Sequence, residues 1–315
     1  MAQGPILSPM KYNISCGPIL LALEKAGISV QATVAPGTSF SDDLLLILPE
    51  NQIPKAIQVL EEQSCIYGKQ IKATKCYANP FFLMGNKTRD ETIVQASEGS
   101  IPVLRGQKYL GTKLGAAPQR CPDQVNETCK KARQAIRLIN WMGGFTSSAS
   151  WEMVTKLYHY MVEPVILAGL RNTQLTEADE DAVRRVQARA AKAWLGCSQL
   201  VNAKLAITDI GWTDTCEKIR GDQTKLVERI KSKPEDEAVK KVWRARENQR
   251  KKDPRPSERR GIFEEAKKFW EQAGQAPLAA STATTKGELD RRIKLINAEV
   301  KRRDAAKKEV WAASL

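Results

Sequence analysis

The residues in this chain best suited to chemistry are two neighbouring aspartates. Asp42 and Asp43 stand in the run Phe40-Ser41-Asp42-Asp43-Leu44-Leu45-Leu46, directly after Pro36-Gly37-Thr38-Ser39 and directly before a continuous apolar stretch. Neighbouring residues on a strand point to opposite faces, so a tight turn here would present both carboxylates at the mouth of a sheet. Hard divalent cations take carboxylate oxygens, and magnesium usually takes one or two of them together with substrate phosphates. A pair of such ions about 4 Å apart activates a 3′-hydroxyl and stabilises a leaving pyrophosphate. The same residues also suit a plainer role, with Asp42 as a cap or in a solvated turn.

Other catalytic constellations are missing from the sequence. Seven cysteines lie scattered at 16, 65, 76, 121, 129, 197 and 216, no pair is spaced Cys-x-x-Cys, and His159 is the only histidine. A zinc finger or knuckle needs four clustered soft ligands, and an odd, scattered set does not read as a disulfide framework. Reduced thiols in an intracellular compartment fit best. The start, Met-Ala-Gln-Gly-Pro, has neither a basic n-region nor an apolar core, so no signal peptide is expected. The longest uncharged runs are too short for a bilayer span of roughly 20 apolar residues. The net charge is +14, and the last 85 residues, with 23 basic and 14 acidic side chains, carry +9 of it. Such an excess suits a polyanionic partner through phosphate contacts and counterion release, or else a solvated, salt-bridged helical tail.

The elements that must position these residues follow from pattern and punctuation. Up to residue 121 helical and strand patterns alternate. Tyr12–Lys25 reads as a helix ended by Gly27, Ile28–Val34 and Leu44–Leu48 as strands, and Pro36-Gly37 as a turn. Ile53–Tyr67 repeats apolar residues at helical spacing and stops at Gly68. Gln70–Tyr77 reads as a further strand, and Ile101–Leu104 with Lys108–Leu114 as a hairpin around Arg105-Gly106. Beyond Asn126 the pattern is helical: Asn126–Met142, Ser150–Leu170, Glu177–Leu195, Leu200–Asp209 and Thr213–Ile230, with Gly143-Gly144 as the clearest hinge. Trp141 and Trp151 flank that hinge and read as core residues rather than base-stacking platforms. The last third is charged helix, broken at Lys251–Pro256 and at Ala276–Thr285, the latter a candidate linker. Apolar stripes run along Gly261–Gln272 and along Leu289, Ile293, Ile296 and Val300.

Around the doubled aspartate the order of short motifs resembles a known family. Gln3-Gly4-Pro5-Ile6-Leu7-Ser8-Pro9, running into Tyr12-Asn13-Ile14, resembles motif B of reverse transcriptases. Phe40-Ser41-Asp42-Asp43 resembles motif C of the non-long-terminal-repeat, LINE-like retrotransposon branch, with Ser41 where Ala is usual. Tyr67-Gly68-Lys69-Gln70-Ile71 with Lys75 resembles motif D, with Lys72 where Asn is usual, and Lys108-Tyr109-Leu110-Gly111 resembles the motif E hairpin. Leu157-Tyr158, Val162, Pro164-Val165-Ile166-Leu167 and Gly169 are similar to the family's thumb helix. Val183-Arg184-Arg185-Val186-Gln187, Leu195-Gly196, Gly211-Trp212 and Arg220 are similar to the connector that follows.

The resemblance implies an α+β fold: a partial palm over 1–121, with a small antiparallel sheet and helices, then an all-α thumb and connector over 122–230, then a basic helical tail over 231–315. It implies that Asp42 and Asp43 hold magnesium, that Gln3 and Gly4 shape the pocket for nucleotide and template, and that Tyr109, Leu110 and Gly111 position the primer. Glycine suits position 4, where a missing Cβ lets backbone approach substrate. By the same resemblance Lys75 protonates departing pyrophosphate, against the alternative of a surface strand lysine. Lys130, Lys131, Arg133 and Arg137 face phosphates, or else form an ordinary solvated face. The implied partners are an RNA template and a DNA primer, and the implied place of action is intracellular, with the nucleus a candidate. The family's third aspartate, on motif A, and its fingers lie upstream of motif B, and only two residues stand before Gln3 here. The expectation is therefore the motif-B-to-thumb part of a polymerase, inactive alone. The alternative is a non-catalytic nucleic-acid-binding protein derived from a retroelement.

Overall fold

The computed structural model describes residues 18–19, 21–28, 37–40, 43–46, 48, 50–68, 70–78, 94–97, 99–103, 107–109, 112–114, 122–143, 148–234, 240, 244, 262–274 and 285–313. The chain divides into two units, residues 1–118 with 235–249 and residues 119–234 with 250–315. Helices and antiparallel strands share the first unit, and described helices make up the second, so the fold class is α+β. No described helix is long and apolar enough to cross a membrane.

In the first unit the helical backbone at 18–19 and 21–25 ends at Gly27, whose φ of 68° lets Ile28 N–H turn back to the Leu23 carbonyl at 3.1 Å. This closes the helix end with its flanking apolar pair inward. Leu23 and Ile28 are buried with Ala56, and Leu46, Leu48, Val59 and Leu60 pack around them. Strands β1 (Gly37–Phe40) and β2 (Asp43–Leu46) pair antiparallel, from Gly37 opposite Leu46 to Phe40 opposite Asp43. Helix α1 (Ile53–Ile66) follows, and its Glu61 carboxylate accepts from Ser97 N–H at 2.8 Å and Oγ at 2.7 Å. That anchor sits at the turn of a second hairpin, β3 (Val94–Ala96) with β4 (Gly99–Ile101). A third joins β5 (Gln107–Tyr109) to β6 (Thr112–Leu114).

Four local expectations differ from what is seen. Gly37 opens β1 instead of standing in a turn. Residues 70–77 are not a strand: Lys75 and Cys76 bond back to the carbonyls of Lys72 and Ala73, forming a 3-10 turn over Ala73–Lys75 that points Ala73 at the Gly99 backbone. Ile101 pairs with Val94, and the later hairpin closes at 110–111, not around Arg105-Gly106. The described strands form three separate two-stranded hairpins, where one small sheet is expected. The Ile28–Val34 strand and the Ala276–Thr285 linker lie almost wholly outside the described residues.

The second unit is built on α2 (Pro122–Trp141), α3 (Trp151–Leu157), α4 (Glu163–Leu170), α5 (Glu177–Leu195), α6 (Ala203–Ile210) and α7 (Thr215–Lys231). Caps fix the starts. Thr176 and Asp179 form a reciprocal capping box, and Asn202 and Asp214 accept from backbone N–H groups two residues on. Between α3 and α4 the helix continues as a π turn over Tyr158–Val162, with Glu163 N–H reaching the Tyr158 carbonyl. Pro164 has no N–H to offer the carbonyl four residues back, which is the condition that lets the ladder slip by one residue. The slip aims Tyr158 into the core. Its ring stacks on Trp212 at 4.1 Å between centroids, and its hydroxyl meets Thr215 Oγ1 at 2.7 Å. Ile136, Ile139, Val162, Ile166, Val183 and Ile207 fill the space around them.

Two described helices lie in the stretch expected to be a basic helical tail over 231–315. Helices α8 (Ile262–Gln272) and α9 (Lys286–Ala313) pack with α7: Phe269, Trp270, Ile296 and Val300 form a second buried cluster, and Trp311 reaches the main core. The two apolar stripes read in the sequence thus supply Phe269 and Trp270 from one helix and Ile296 and Val300 from the other.

Candidate nucleic-acid interface

The β1–β2 hairpin places Asp43, the second of the two neighbouring aspartates. Phe40 opposite Asp43 is its last pair, so Asp43 opens β2 at the closed end and only Ser41 and Asp42 connect the strands. A two-residue connection is the shortest that joins antiparallel strands. Leu46, at the other end of β2, packs into the Leu23–Ile28–Ala56 cluster and holds the hairpin on its helices. The β5–β6 hairpin repeats the arrangement, with Tyr109 opposite Thr112 and only Leu110 and Gly111 between. Lys75 is exposed at the end of the 3-10 turn, not on a strand. Asp42, Gln3, Gly4, Leu110 and Gly111 lie outside the described residues. Among the described residues no three His, Cys, Asp or Glu side chains gather as a metal-ligand set.

The second unit carries a basic surface. Helix α2 buries Val125, Cys129, Ala132, Ile136 and Ile139 and turns Lys130, Lys131, Gln134, Arg137 and Trp141 outward. Lys131 pairs with Glu127 at 3.2 Å. Lys130, Arg137 and Trp141 follow one face at helical spacing, with about 10 Å of rise between the two cations. Trp141 is 84% exposed and its neighbour Leu138 50%. Trp151, at the start of α3, is 53% exposed, though its Nε1 donates to the Ile210 carbonyl at 3.1 Å. Both tryptophans were expected in the core. Trp141 instead ends a helix whose buried face is already filled by Ile136 and Ile139. A cationic stripe ending in an exposed indole can meet phosphates along its length and a base face at its tip.

The connector residues turn inward. Arg184 lies between Glu180, Asp181 and Asp214, with Nε 3.1 Å from Asp214, while Arg220 pairs with Glu180 and Glu217. Burial works against the Arg184 charge, but Asp214 and Glu180 more than offset it and raise its affinity for the proton. A cavity of about 450 Å³ opens beside this network, lined among others by Glu177, Glu180, Arg184 and Arg220. Both arginines are paired with carboxylates, and Lys204 and Lys307 complete its basic lining. Burial pushes the thiols of Cys129 and Cys216 upward, the latter strongly, so neither is a nucleophile near neutrality. Exposure of Trp141 is what sequence reading misses, since nothing in the helical period shows which aromatic is left outside the core.

Comparison with protein-family models, with curated proteins and with solved structures finds no match to this chain.

Proposed function

We propose that these 315 residues are the motif-B-to-thumb part of a LINE-like retrotransposon reverse transcriptase, acting on an RNA template and a DNA primer. The observation that carries the reading is the order of elements. Asp43 opens the second strand of one antiparallel hairpin, a helix follows, and Tyr109 ends the first strand of a later hairpin before the chain becomes helical. In this reading the first unit is the partial palm and α2 to α7 are thumb and connector. Asp42 and Asp43 would hold magnesium, whose chemistry there is activation of a primer hydroxyl and neutralisation of pyrophosphate. Tyr109, Leu110 and Gly111 position the primer end, and Gln3 and Gly4 border the nucleotide. Lys75 is a solvent-facing acid candidate at the 3-10 turn.

A second reading, non-catalytic nucleic-acid binding, is favoured by the Lys130–Arg137–Trp141 face, which needs no metal to act. Motif A and the fingers are not among these residues, so the polypeptide alone is expected to bind without polymerising. The test is primer extension on an RNA template with magnesium or manganese, beside Asp42→Ala and a salt series of RNA binding. Salt-dependent binding without extension is expected. Extension that disappears in Asp42→Ala would overturn the expected inactivity, and absence of binding at low salt would remove both readings.

A further inference from the structure

We infer that the last helix is a detachable strap, held by charge in an acidic groove of the second unit. The groove is made by α7 and α8. Three carboxylates at or near the start and along the length of α7, those of Asp214, Glu217 and Glu228, have fully buried side chains. Each has a partner from the helical body, Arg184 on Asp214, Arg220 on Glu217 and Lys231 on Glu228, and a further one from α9. Arg303 Nε lies 3.3 Å from Glu217, Lys307 lies 3.5 Å from Asp214 and also pairs with Glu217, and Arg292 Nε lies 3.5 Å from Glu228. Asp304 of α9 takes the Asp214 N–H at 2.7 Å and is itself paired with Lys308 at 2.8 Å. From α8, the Trp270 indole donates to Glu228 at 3.1 Å.

The backbone is shaped for this contact. Gly221, midway along α7, faces Val300, and a Cβ there would stand 2.6 Å from Val300 Cγ2. Along its 28 residues α9 buries Ile296, Val300 and Asp304, and Trp311 near its end packs on the main core. A helix rising about 1.5 Å per residue therefore lies along the unit with few apolar anchors and a row of ion pairs. Salt screens buried pairs less than surface ones, but the cationic ends of these pairs stay partly exposed, 18% for Arg303 and 29% for Lys307, and concentrated salt reaches them there. Lifting the strap exposes an acidic groove on one side and releases Arg292, Arg303 and Lys307 on the other. The groove's chemistry fits one occupant, a basic amphipathic helix, and this chain carries it in cis.

The test uses the full chain with a site-specific protease recognition sequence inserted after Ala280. After cleavage, size-exclusion chromatography follows whether α9 stays with the remainder. Retention at about 0.05 M salt and release at about 1 M are expected, with circular dichroism showing the remaining helices folded. Arg303→Glu with Lys307→Glu is expected to release the cleaved helix at low salt, while Arg302→Glu, whose partner Glu299 is on the same helix, is expected to retain it. Retention at both salts, or release of the unsubstituted helix at low salt, would overturn the strap. Should the charge-reversed chain fail to fold, the salt series on the unsubstituted chain decides.

Discussion

Trp141 is the residue on which the proposed binding face turns. Its exposure has no packing purpose, so Trp141→Ala is expected to leave thermal stability nearly unchanged. It should weaken RNA binding by about 1–3 kcal/mol, the usual worth of one stacked base. Lys130→Ala is expected to lower the slope of log affinity against log salt by about one. Titration of labelled RNA across a salt series reads both effects. Glu163 responds to a different variable. Burial alone would raise its carboxyl, but the hydrogen bond from His159 at 2.8 Å and Lys218 at 2.6 Å overcome that and hold it below the ordinary 4.5. A carboxyl held low in the folded state stabilises fully above the ordinary value and loses that contribution as pH falls through the lowered one. Glu163→Gln should therefore flatten the acid side of the stability profile, measured by urea unfolding at neutral pH and near pH 4.

Elements divide by how local their causes are. Helices α2 to α7 follow the apolar spacing of the sequence, and their starts coincide with caps such as Thr176, Asn202 and Asp214 because caps act within a few residues. The strands were less legible. Arg105-Gly106 carries the turn chemistry, yet pairing of Val94 with Ile101 claims the residues on one side and the hairpin closes at 110–111. Register between short strands is a tertiary choice. The 3-10 turn over Ala73–Lys75 was equally hidden, since it answers to contact with Gly99 and not to its own residues. The candidate site was legible as composition, in Asp42, Asp43 and the α2 cations, while the outward turn of Trp141 was not. One glycine tests helix packing directly. Gly169 sits so close to α2 that a Cβ would fall on the Thr128 hydroxyl, and Gln124 Nε2 donates to the Gly169 carbonyl at 3.0 Å. Gly169→Ala is expected to cost about 1–3 kcal/mol by overpacking, read as a lowered denaturation midpoint with an unchanged slope.

At the scale of the molecule, two units of different character share one chain. The first is a set of hairpins and helices around a small core, and the second is a helical body with a long buried cluster. Interleaving is the notable topology: residues 235–249 belong with the first unit although both neighbouring stretches belong with the second. The chain thus leaves the helical body after Pro234 and returns to it from Arg250. That return carries the tail's cations onto buried carboxylates. Sequence arithmetic assigns +9 to the last 85 residues, but Arg292, Arg303, Lys307 and Lys308 are turned toward Glu228, Glu217, Asp214 and Asp304. An ion exchanger or a passing polymer of phosphates meets only the outward remainder, among it Arg291, Lys294 and Lys301. The isoelectric point of the sequence therefore overstates the field this end of the protein projects into solution.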